Sequence, residues 1–313
     1  MRPLNLIPIK PKLDFAGRRI IFFGLSIALI LTSMAMFIAR DLNYGIDFQG
    51  GILIEVRVGH PNKLVEMRQD LSKLGLGEVS LQEFGTPTDI LIRIQKQAGG
   101  EKAQQAAIDK VKRELGANIK YRRTEFVGPK VSDELFKDGV IAVLLAIIGI
   151  LLYIWFRFEW QFGIGAIIAL CHDVITTIGI FAITGIEFNL STVAAILTIA
   201  GYSINDTVVV YDRVRENLRK YKSLSLYELL NNSVNETLSR TVMTSVTTLL
   251  ALLSLYLLGG EVIRGFSFAM IWGVLIGTYS SVCLAVPLLL YLNIDRGTSK
   301  SGDKINNLKE GAS

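Results

Sequence analysis

Residues 139–156 read GVIAVLLAIIGILLYIWF, a run of 18 residues without a charged side chain. The hydrocarbon core of a bilayer is about 30 Å thick and is crossed by about 20 apolar helical residues. This stretch therefore predicts a transmembrane helix. Similar apolar runs occupy 20–38, 163–183, 190–211, 241–258 and 265–292. We expect six membrane spans, numbered one to six in chain order.

The composition is typical of a membrane protein that carries some soluble mass. Of the 313 residues, 50% are hydrophobic and only 19% are charged, and the mean hydropathy is +0.42. Disordered chains, nucleic-acid-binding proteins of ordinary composition and ordinary soluble enzymes contain fewer apolar and more charged residues, so all three classes are excluded and no nucleic-acid partner is expected. The net charge of +5 is expected of a polytopic protein, because Lys and Arg accumulate in cytoplasmic loops.

The distribution of Lys and Arg predicts the orientation of the spans. Five of these residues precede span one, five lie within 212–222 and four follow residue 292. The short loops at 185–189 and 259–264 contain none and one. We therefore expect both termini in the cytoplasm and the long segment between spans one and two on the opposite side. The predicted parts are a cytoplasmic tail at 1–19, transmembrane helix 1 at 20–39, an exported domain at 40–138, a five-helix transmembrane bundle at 139–292 and a cytoplasmic tail at 293–313.

The exported segment shows the periodicity of an α+β domain. Apolar residues alternate from Ile52 to Val58, as in a strand with one buried face, and recur at helical spacing from Leu64 to Leu74. The complete pattern predicts strands at 52–58, 79–84, 90–94 and 119–127 and helices near 64–74 and 108–115. This β-α-β-β-α-β order indicates a ferredoxin-like fold. The predicted fold class is thus a polytopic α-helical membrane protein with six transmembrane helices and one exported α+β domain between helices 1 and 2.

Two carboxylates lie inside predicted spans, Asp173 in span three and Asp206 in span four. An ionised side chain at the centre of a membrane helix costs about 2.5–3.5 kcal/mol, even on the scale with the smallest penalties. Such residues normally face the interior of a bundle and belong to an ion pathway or a proton relay. Asp206 and Asp173 are therefore candidates for a functional site.

Asp206 has a predicted partner of opposite charge. It precedes the polar edge of span four at Asp212 by six residues, so it lies roughly 9 Å from that edge. Arg240 enters span five from the same side, and we expect the two charges at similar depth along a hydrated gap between the helices. Ser203 and Asn205 lie close to Asp206 in the sequence and are further candidates for a proton relay. The alternative is a static ion pair that only holds the two helices together.

His172 directly precedes Asp173 in the middle of span three. The pair predicts either a further part of the relay or a hydrogen-bonded pair that supports helix packing, and the sequence does not decide between them. In span six, Gly273 and Gly277 have the small-xxx-small spacing of a helix-packing face.

The sequence gives no support to two enzyme-like classes. An intramembrane serine hydrolase would use Ser203 as nucleophile and His172 as base, but residues 201–205, GYSIN, lack the second glycine of the nucleophile-elbow pattern. An ATP-driven transporter would need a Gly-x-x-x-x-Gly-Lys-[Ser/Thr] phosphate loop, which the sequence lacks. We predict no catalytic residues, no metal and no cofactor. The energy for transport must then come from an ion gradient or from a partner.

Two segments resemble the SecD/SecF family of export proteins. Residues 45–51, GIDFQGG, are similar to the Asp-Phe-x-Gly-Gly signature of that family. Residues 201–213, GYSINDTVVVYDR, resemble the span-four signature of its SecF members, and residues 239–241 match as well. The order of one span, a large exported domain and five spans is also similar. The positions that match the first signature are Asp47, Phe48, Gly50 and Gly51.

The resemblance implies a proton-coupled subunit of the Sec machinery in the bacterial inner membrane, similar to half of a transporter of the resistance–nodulation–division type. It implies association with SecD, which supplies six further spans, and with YajC, the SecYEG channel and the YidC insertase. The complex would use the proton-motive force to draw preproteins across the membrane, with residues 40–138 in the periplasm. The resemblance also implies that Asp206 carries the proton and that Arg240 is its neighbour. The role of residues 45–51 stays open, with a tight turn as one interpretation.

Two other functions compete with the proton-coupled export subunit. One is half of a proton-driven exporter of small molecules or lipids. Such exporters usually have two exported domains and twelve spans in one chain, and this chain has half of each. The other is a passive membrane scaffold in which Asp206 and Arg240 have only a structural role.

Overall fold

The first helix leads directly into the exported domain. The computed structural model describes residues 12–59, 64–116, 119–292 and 294, so most of the two predicted tails lies outside the described residues. Helix α1 spans Arg19–Arg40, which includes predicted span one. A short helix α2, Ile46–Gln49, follows where the sequence suggested a tight turn.

The exported domain has the predicted β-α-β-β-α-β order. Its elements are β1 (Gly51–Arg57), α3 (Leu64–Ser72), β2 (Val79–Phe84), β3 (Thr86–Ile94), α4 (Gly100–Leu115) and β4 (Lys120–Val127). The four strands form one antiparallel sheet in the order β2-β3-β1-β4. This arrangement agrees with the ferredoxin-like fold expected from the sequence.

Strand β1 lies in the centre of the sheet and is buried on both faces. On one face, Ile52, Ile54 and Val56 pack in the main core of the domain with residues of α3 and α4. On the other face, Leu53 packs in a small cluster with Ile46 of α2. Helix α2 therefore covers part of the sheet face that α3 and α4 leave open.

Strand β3 begins at Thr86, four residues before its predicted start at Ile90. Gly85 has a φ of +83°, a left-handed conformation that glycine adopts at low cost. The chain therefore reverses directly after β2, and residues that were expected in the turn belong to the strand.

A buried carboxylate joins three strands of the sheet. Asp89 of β3 is 3% exposed and accepts hydrogen bonds from Arg57 of β1 at 2.6 and 2.8 Å. Arg122 of β4 donates to the same carboxylate at 3.1 Å. The hydrogen bonds from Arg57 lower the pKa of Asp89 below its usual value, because they favour the ionised form.

Five long helices follow the sheet, and the prediction of six membrane helices is confirmed. They are α5 (Pro129–Arg157), α6 (Trp160–Thr184), α7 (Leu190–Lys220), α8 (Leu226–Leu258) and α9 (Arg264–Tyr279). Helix α9 continues through a π-helix at Ser280–Ala285 into the short helix α10, Val286–Leu288.

Helices α5, α7 and α8 extend beyond the apolar runs that predicted them. Helix α5 begins ten residues before residue 139, so the predicted domain boundary at 138 falls inside a helix. Helix α7 continues to Lys220 and α8 begins at Leu226, which leaves a short connection in place of a long loop. Charged residues such as Lys and Glu are good helix formers, whereas hydropathy reports only the part of a helix inside the bilayer.

Helices α6, α7 and α9 form the interior of the bundle, whereas α1, α5 and α8 are largely exposed. Glycines allow the interior helices to approach each other closely. A Cβ atom on Gly273 would collide with Ile199 of α7, and one on Gly277 would lie 3.2 Å from Ser203. The small-xxx-small face of span six therefore packs α9 against α7.

Replacing Asp89 with Asn removes the charge that Arg57 and Arg122 neutralise. We expect the free energy of unfolding of the exported domain to fall by about 1–2 kcal/mol at pH 7, since the half-exposed Arg57 is partly screened by solvent. A lowered pKa stabilises the folded state above about pH 4, the usual pKa of Asp, and this contribution disappears as the pH falls through the lowered pKa. Hydrogen exchange of the β1 and β3 amides in the full chain measures both effects.

Asp70→Asn is the matched control, because Asp70 of α3 pairs with the exposed Lys73, which directly follows the helix. It should change the free energy of unfolding by less than about 0.5 kcal/mol. Equal effects of Asp89→Asn and Asp70→Asn would contradict a stabilising role of the buried carboxylate.

Candidate functional site

Asp173 is the centre of a hydrogen-bonded network inside the bundle. Asp173 and the adjacent His172 of α6 are both 0% exposed. Ser203 Oγ of α7 donates to Asp173 Oδ2 at 2.5 Å, and Ser280 Oγ of the π-helix donates to the same oxygen at 2.7 Å. His172 Nδ1 lies 2.9 Å from Asp173 Oδ1. One carboxylate thus joins three helical segments.

The π-helix supplies two consecutive serines to this network. Ser281 Oγ donates to the backbone oxygen of Ser203 at 3.3 Å and lies 2.8 Å from Thr207 Oγ1 of α7. Helical π-turns are rare and occur frequently at functional sites. Sequence reasoning missed Ser280, Ser281 and Thr207, because Ser and Thr in apolar helices also bond to the backbone of their own helix.

The network reaches helix α1 through Tyr279. The ring centroids of His172 and Tyr279 lie 6.0 Å apart. Tyr279 OH donates to Phe22 O of α1 at 2.7 Å and lies 3.0 Å from Ser26 Oγ. His172 Nε2 is buried without a hydrogen-bond partner among the described residues. The imidazole therefore has one nitrogen engaged with Asp173 and one nitrogen available to a proton or a donor.

Asp206 lies on α7 one turn beyond Ser203 and is 4% exposed. Its Oδ2 is buried and has no hydrogen-bond partner in the described part of the chain. Arg240 of α8 attracts this carboxylate, but the two side chains form no ion pair within 4.0 Å among the described residues. The two side chains are therefore not paired in this structure, and the choice between a proton relay and a structural role stays a prediction. Burial of an unpaired carboxylate oxygen is costly, so a proton bound at Asp206 would remove an energetic cost.

Arg240 itself is exposed and lies on α8, one of the three largely exposed helices. Thr241, the next residue, has a buried Oγ1 without a hydrogen-bond partner within the described ranges. Ser245, one turn further along α8, lies with its Oγ 2.7 Å from Thr278 Oγ1 of α9. Polar groups therefore extend from Arg240 toward the interior helix α9.

Asn205, a candidate member of the relay, is exposed and does not join the network. Consecutive residues of a helix with 3.6 residues per turn point about 100° apart. Asn205 therefore faces outward where Asp206 faces inward, and its part in a relay stays a prediction.

The signature residues Asp47, Phe48, Gly50 and Gly51 lie apart from the buried network. They occupy α2 and the entry to β1, at the junction between the exported domain and the first residue of α7. There Leu190 N donates a hydrogen bond to Asp47 Oδ2 at 2.9 Å.

The network consists of groups that suit proton transfer. Ser203 donates to Asp173 and not to His172, so it lacks the nucleophile–base contact of a serine hydrolase. Within residues 12–59, 64–116, 119–292 and 294, no group of three or more His, Cys, Asp or Glu could hold a metal ion. Carboxyls, hydroxyls and one imidazole are groups that hold and pass protons.

Family models match most of the chain. Residues 107–295 match the C-terminal region of the protein export membrane protein SecD/SecF, and residues 37–61 match the SecD/SecF GG motif. The protein translocase subunit SecF of Rickettsia rickettsii is 47% identical over 291 residues, which cover 92% of this chain and 94% of the relative. The subunit of the same name from Cereibacter sphaeroides is 46% identical over 310 residues, 96% of each chain.

A solved structure has the same fold. The crystal structure of SecDF, a translocon-associated membrane protein from Thermus thermophilus, matches with a TM-score of 0.83 and 35% sequence identity. The match covers 91% of this chain and 39% of the Thermus chain, so this chain spans well under half of that protein. The chain therefore belongs to the SecD/SecF family of protein export membrane proteins.

Proposed function

We propose that this chain is a proton-motive-force-coupled subunit of the Sec protein export machinery, which assists preprotein translocation across the inner membrane together with SecD. The observation that carries the proposal is the buried carboxyl of Asp206, whose Oδ2 lacks a partner among the described residues. Relatives named protein translocase subunit SecF support the export role. The chain acts in transport and has no hydrolytic activity of its own.

The partners follow from the family and from the exposed helices. The Thermus relative is named SecDF and translocon-associated, which supports a SecD-type partner and the SecYEG channel. Helices α1, α5 and α8 offer largely exposed apolar surface for the spans of SecD. YajC and YidC are further partners on the basis of the family resemblance. Both termini are cytoplasmic and the sheet domain is periplasmic, the orientation that the Lys and Arg distribution favours.

The proposed cycle uses the two states of Asp206. Ionised Asp206 is attracted by Arg240 and protonated Asp206 is not, so the two states favour different separations of α7 and α8. Each charge that crosses the membrane potential supplies about 2.3 kcal/mol per 100 mV. A few protons are enough to shift the equilibrium of a domain movement. Asp173, His172 and Ser203 form the relay. It leads toward Asp206, because the hydrogen bond from Ser203 connects Asp173 to α7, the helix that carries Asp206.

Asp206→Asn tests the function directly, because the amide has the same shape and cannot carry the proton. We expect proton-dependent conductance and the gradient-dependent part of preprotein export to fall by more than about tenfold, since each lost proton step removes about 2.3 kcal/mol per 100 mV of driving force. Conductance is measured in proteoliposomes that contain the complex with SecD, and export is measured in cells with equal amounts of the complex.

Glu216→Gln is the matched control, since Glu216 lies on the same helix but is exposed and paired with Arg213. It should leave both quantities near the wild-type values. Normal export with Asp206→Asn would favour the scaffold, and altered small-molecule efflux with normal secretion would favour the exporter.

Asp173→Asn tests the relay. The amide keeps one oxygen for the hydroxyls of Ser203 and Ser280, and its nitrogen takes the place of the oxygen that faces His172 Nδ1. We expect proton conductance per assembled complex to fall by about tenfold or more, since an amide cannot take up and release a proton as a carboxyl does. Thr176→Val is the control, because Thr176 Oγ1 bonds only the backbone oxygen of Asp173. A variant of Asp173 that accumulates poorly but conducts normally per complex would reduce Asp173 to a packing role.

A further inference from the structure

The segment at 43–49 is fastened to the loop that precedes α7. Phe188 N donates to Asn43 O at 2.8 Å, and Gly45 N donates to Phe188 O at 2.9 Å. Asn43 Nδ2 also donates to Gly185 O at 2.8 Å. Two stretches that are about 140 residues apart in the sequence thus pair through their backbones.

Asp47 extends this contact to the helix itself. Leu190 is the first residue of α7, and its N–H has no acceptor within the helix. Asp47 Oδ2 accepts this N–H at 2.9 Å, while Asn189 Oδ1 accepts the N–H of Thr192 at 3.1 Å. A carboxylate is also favoured at the positive end of the helix dipole. The exported segment therefore supplies part of the N-terminal cap of α7.

The ring of Phe48 packs α2 against neighbouring aromatic rings. It lies 5.8 Å from the ring of Phe136 on α5 and 6.0 Å from that of Phe188, measured between centroids. Tyr44 adds edge-to-face contacts with Phe48 and Phe188. Such aromatic pairs hold α2 against both α5 and the loop before α7.

Gly50 and Gly51 form a short and sterically constrained connection between α2, which carries Asp47, and the sheet. Gly50 and Gly51 have φ of +69° and +121°, which favour glycine. A Cβ atom on Gly51 would lie 2.5 Å from Ile94 O of β3. The chain therefore passes from α2 into β1, one of the two inner strands of the sheet, within a single residue. Arg93 of β3 adds a second tether through its bonds to Asn43 and Glu187.

We propose that Asp47 is a positioning residue that couples movement of α7 to the central strand of the exported domain. The inference rests on the proposed function, in which the protonation state of Asp206 moves α7. Asp206 lies 16 residues after Leu190 on the same helix. The helix is a stiff connection between them, the Asp47–Leu190 hydrogen bond passes its displacement to α2, and the glycine pair passes it to β1.

The test measures proton conductance and gradient-dependent export separately, because loss of coupling should affect only export. Asp47→Ala in the complex with SecD should retain proton conductance within about twofold, whereas gradient-dependent export falls by about tenfold, as for loss of a hydrogen bond to a charged group. Asp47→Asn keeps an oxygen that accepts the Leu190 N–H and should restore most of the export.

Leu190→Pro removes the donor and keeps residue 47 as Asp, although the proline ring displaces the Asp47 carboxylate from the start of the helix. Proline is tolerated at the first position of a helix, and the extended conformation of Asn189, with φ of −126° and ψ of −177°, suits a residue before proline. Leu190→Pro should reproduce the uncoupling of Asp47→Ala, and Leu190→Ala, which keeps the N–H, should export normally. The double variant of Asp47→Ala and Leu190→Pro should be no worse than either single variant, because both remove the same bond.

The coupling role would be overturned by normal export with Asp47→Ala, by equal defects with Asp47→Asn and Asp47→Ala, or by additive defects in the double variant. Joint loss of conductance and export would also overturn it, because Asp47 would then act on the proton path. The proposed function itself is tested separately, because normal conductance and normal export with Asp206→Asn would contradict it. If Asp47→Ala does not accumulate, Leu190→Pro against Leu190→Ala still decides the matter.

Discussion

A carboxylate buried among membrane helices must obtain its hydrogen bonds from the protein, because the lipid provides none. Asp173 meets this constraint with two serine hydroxyls and the imidazole of His172. The partners come from α6, α7 and the π-helix, so one side chain fixes the relative position of three interior segments. Asp206 does not meet the constraint, since its Oδ2 is unpaired among the described residues. The bundle thus combines one carboxyl whose hydrogen bonds the protein supplies with one carboxyl that has an oxygen left unpaired among the described residues.

The parts of the fold that sequence reasoning could predict are those with a strong local pattern. Apolar runs of about 20 residues predict membrane helices because the bilayer sets their length, and alternation at Ile52, Ile54 and Val56 predicts the central strand. The outer ends of α5, α7 and α8 were missed because polar helical turns outside the bilayer have no hydropathy signal. The early start of β3 was missed because the chain reverses at Gly85, so that residues 86–89, which lie between the two predicted strands, belong to β3.

For the candidate site, charge was the informative signal. Asp173 and Asp206 could be selected because an acid in an apolar span is costly. Ser280 and Ser281 could not be selected from the sequence. Whether a hydroxyl bonds the backbone of its own helix or a neighbouring helix depends on how the helices pack. The contact between Asp47 and Leu190 joins residues 143 positions apart, and no local pattern reports such a contact. The signature at residues 45–51 could be interpreted as a turn from the sequence, but its hydrogen bond to the start of α7 is visible only in the three-dimensional structure.

Helix α7 is longer than the membrane is thick. Its 31 residues correspond to about 46 Å, roughly one and a half times the hydrocarbon core. Asp206 lies near the midpoint, 16 residues after Leu190 and 14 before Lys220. A stiff rod that tilts about its middle moves its two ends by similar distances in opposite directions. A tilt of α7 about Asp206 would therefore move the helix ends at both faces of the bilayer at the same time and in opposite directions.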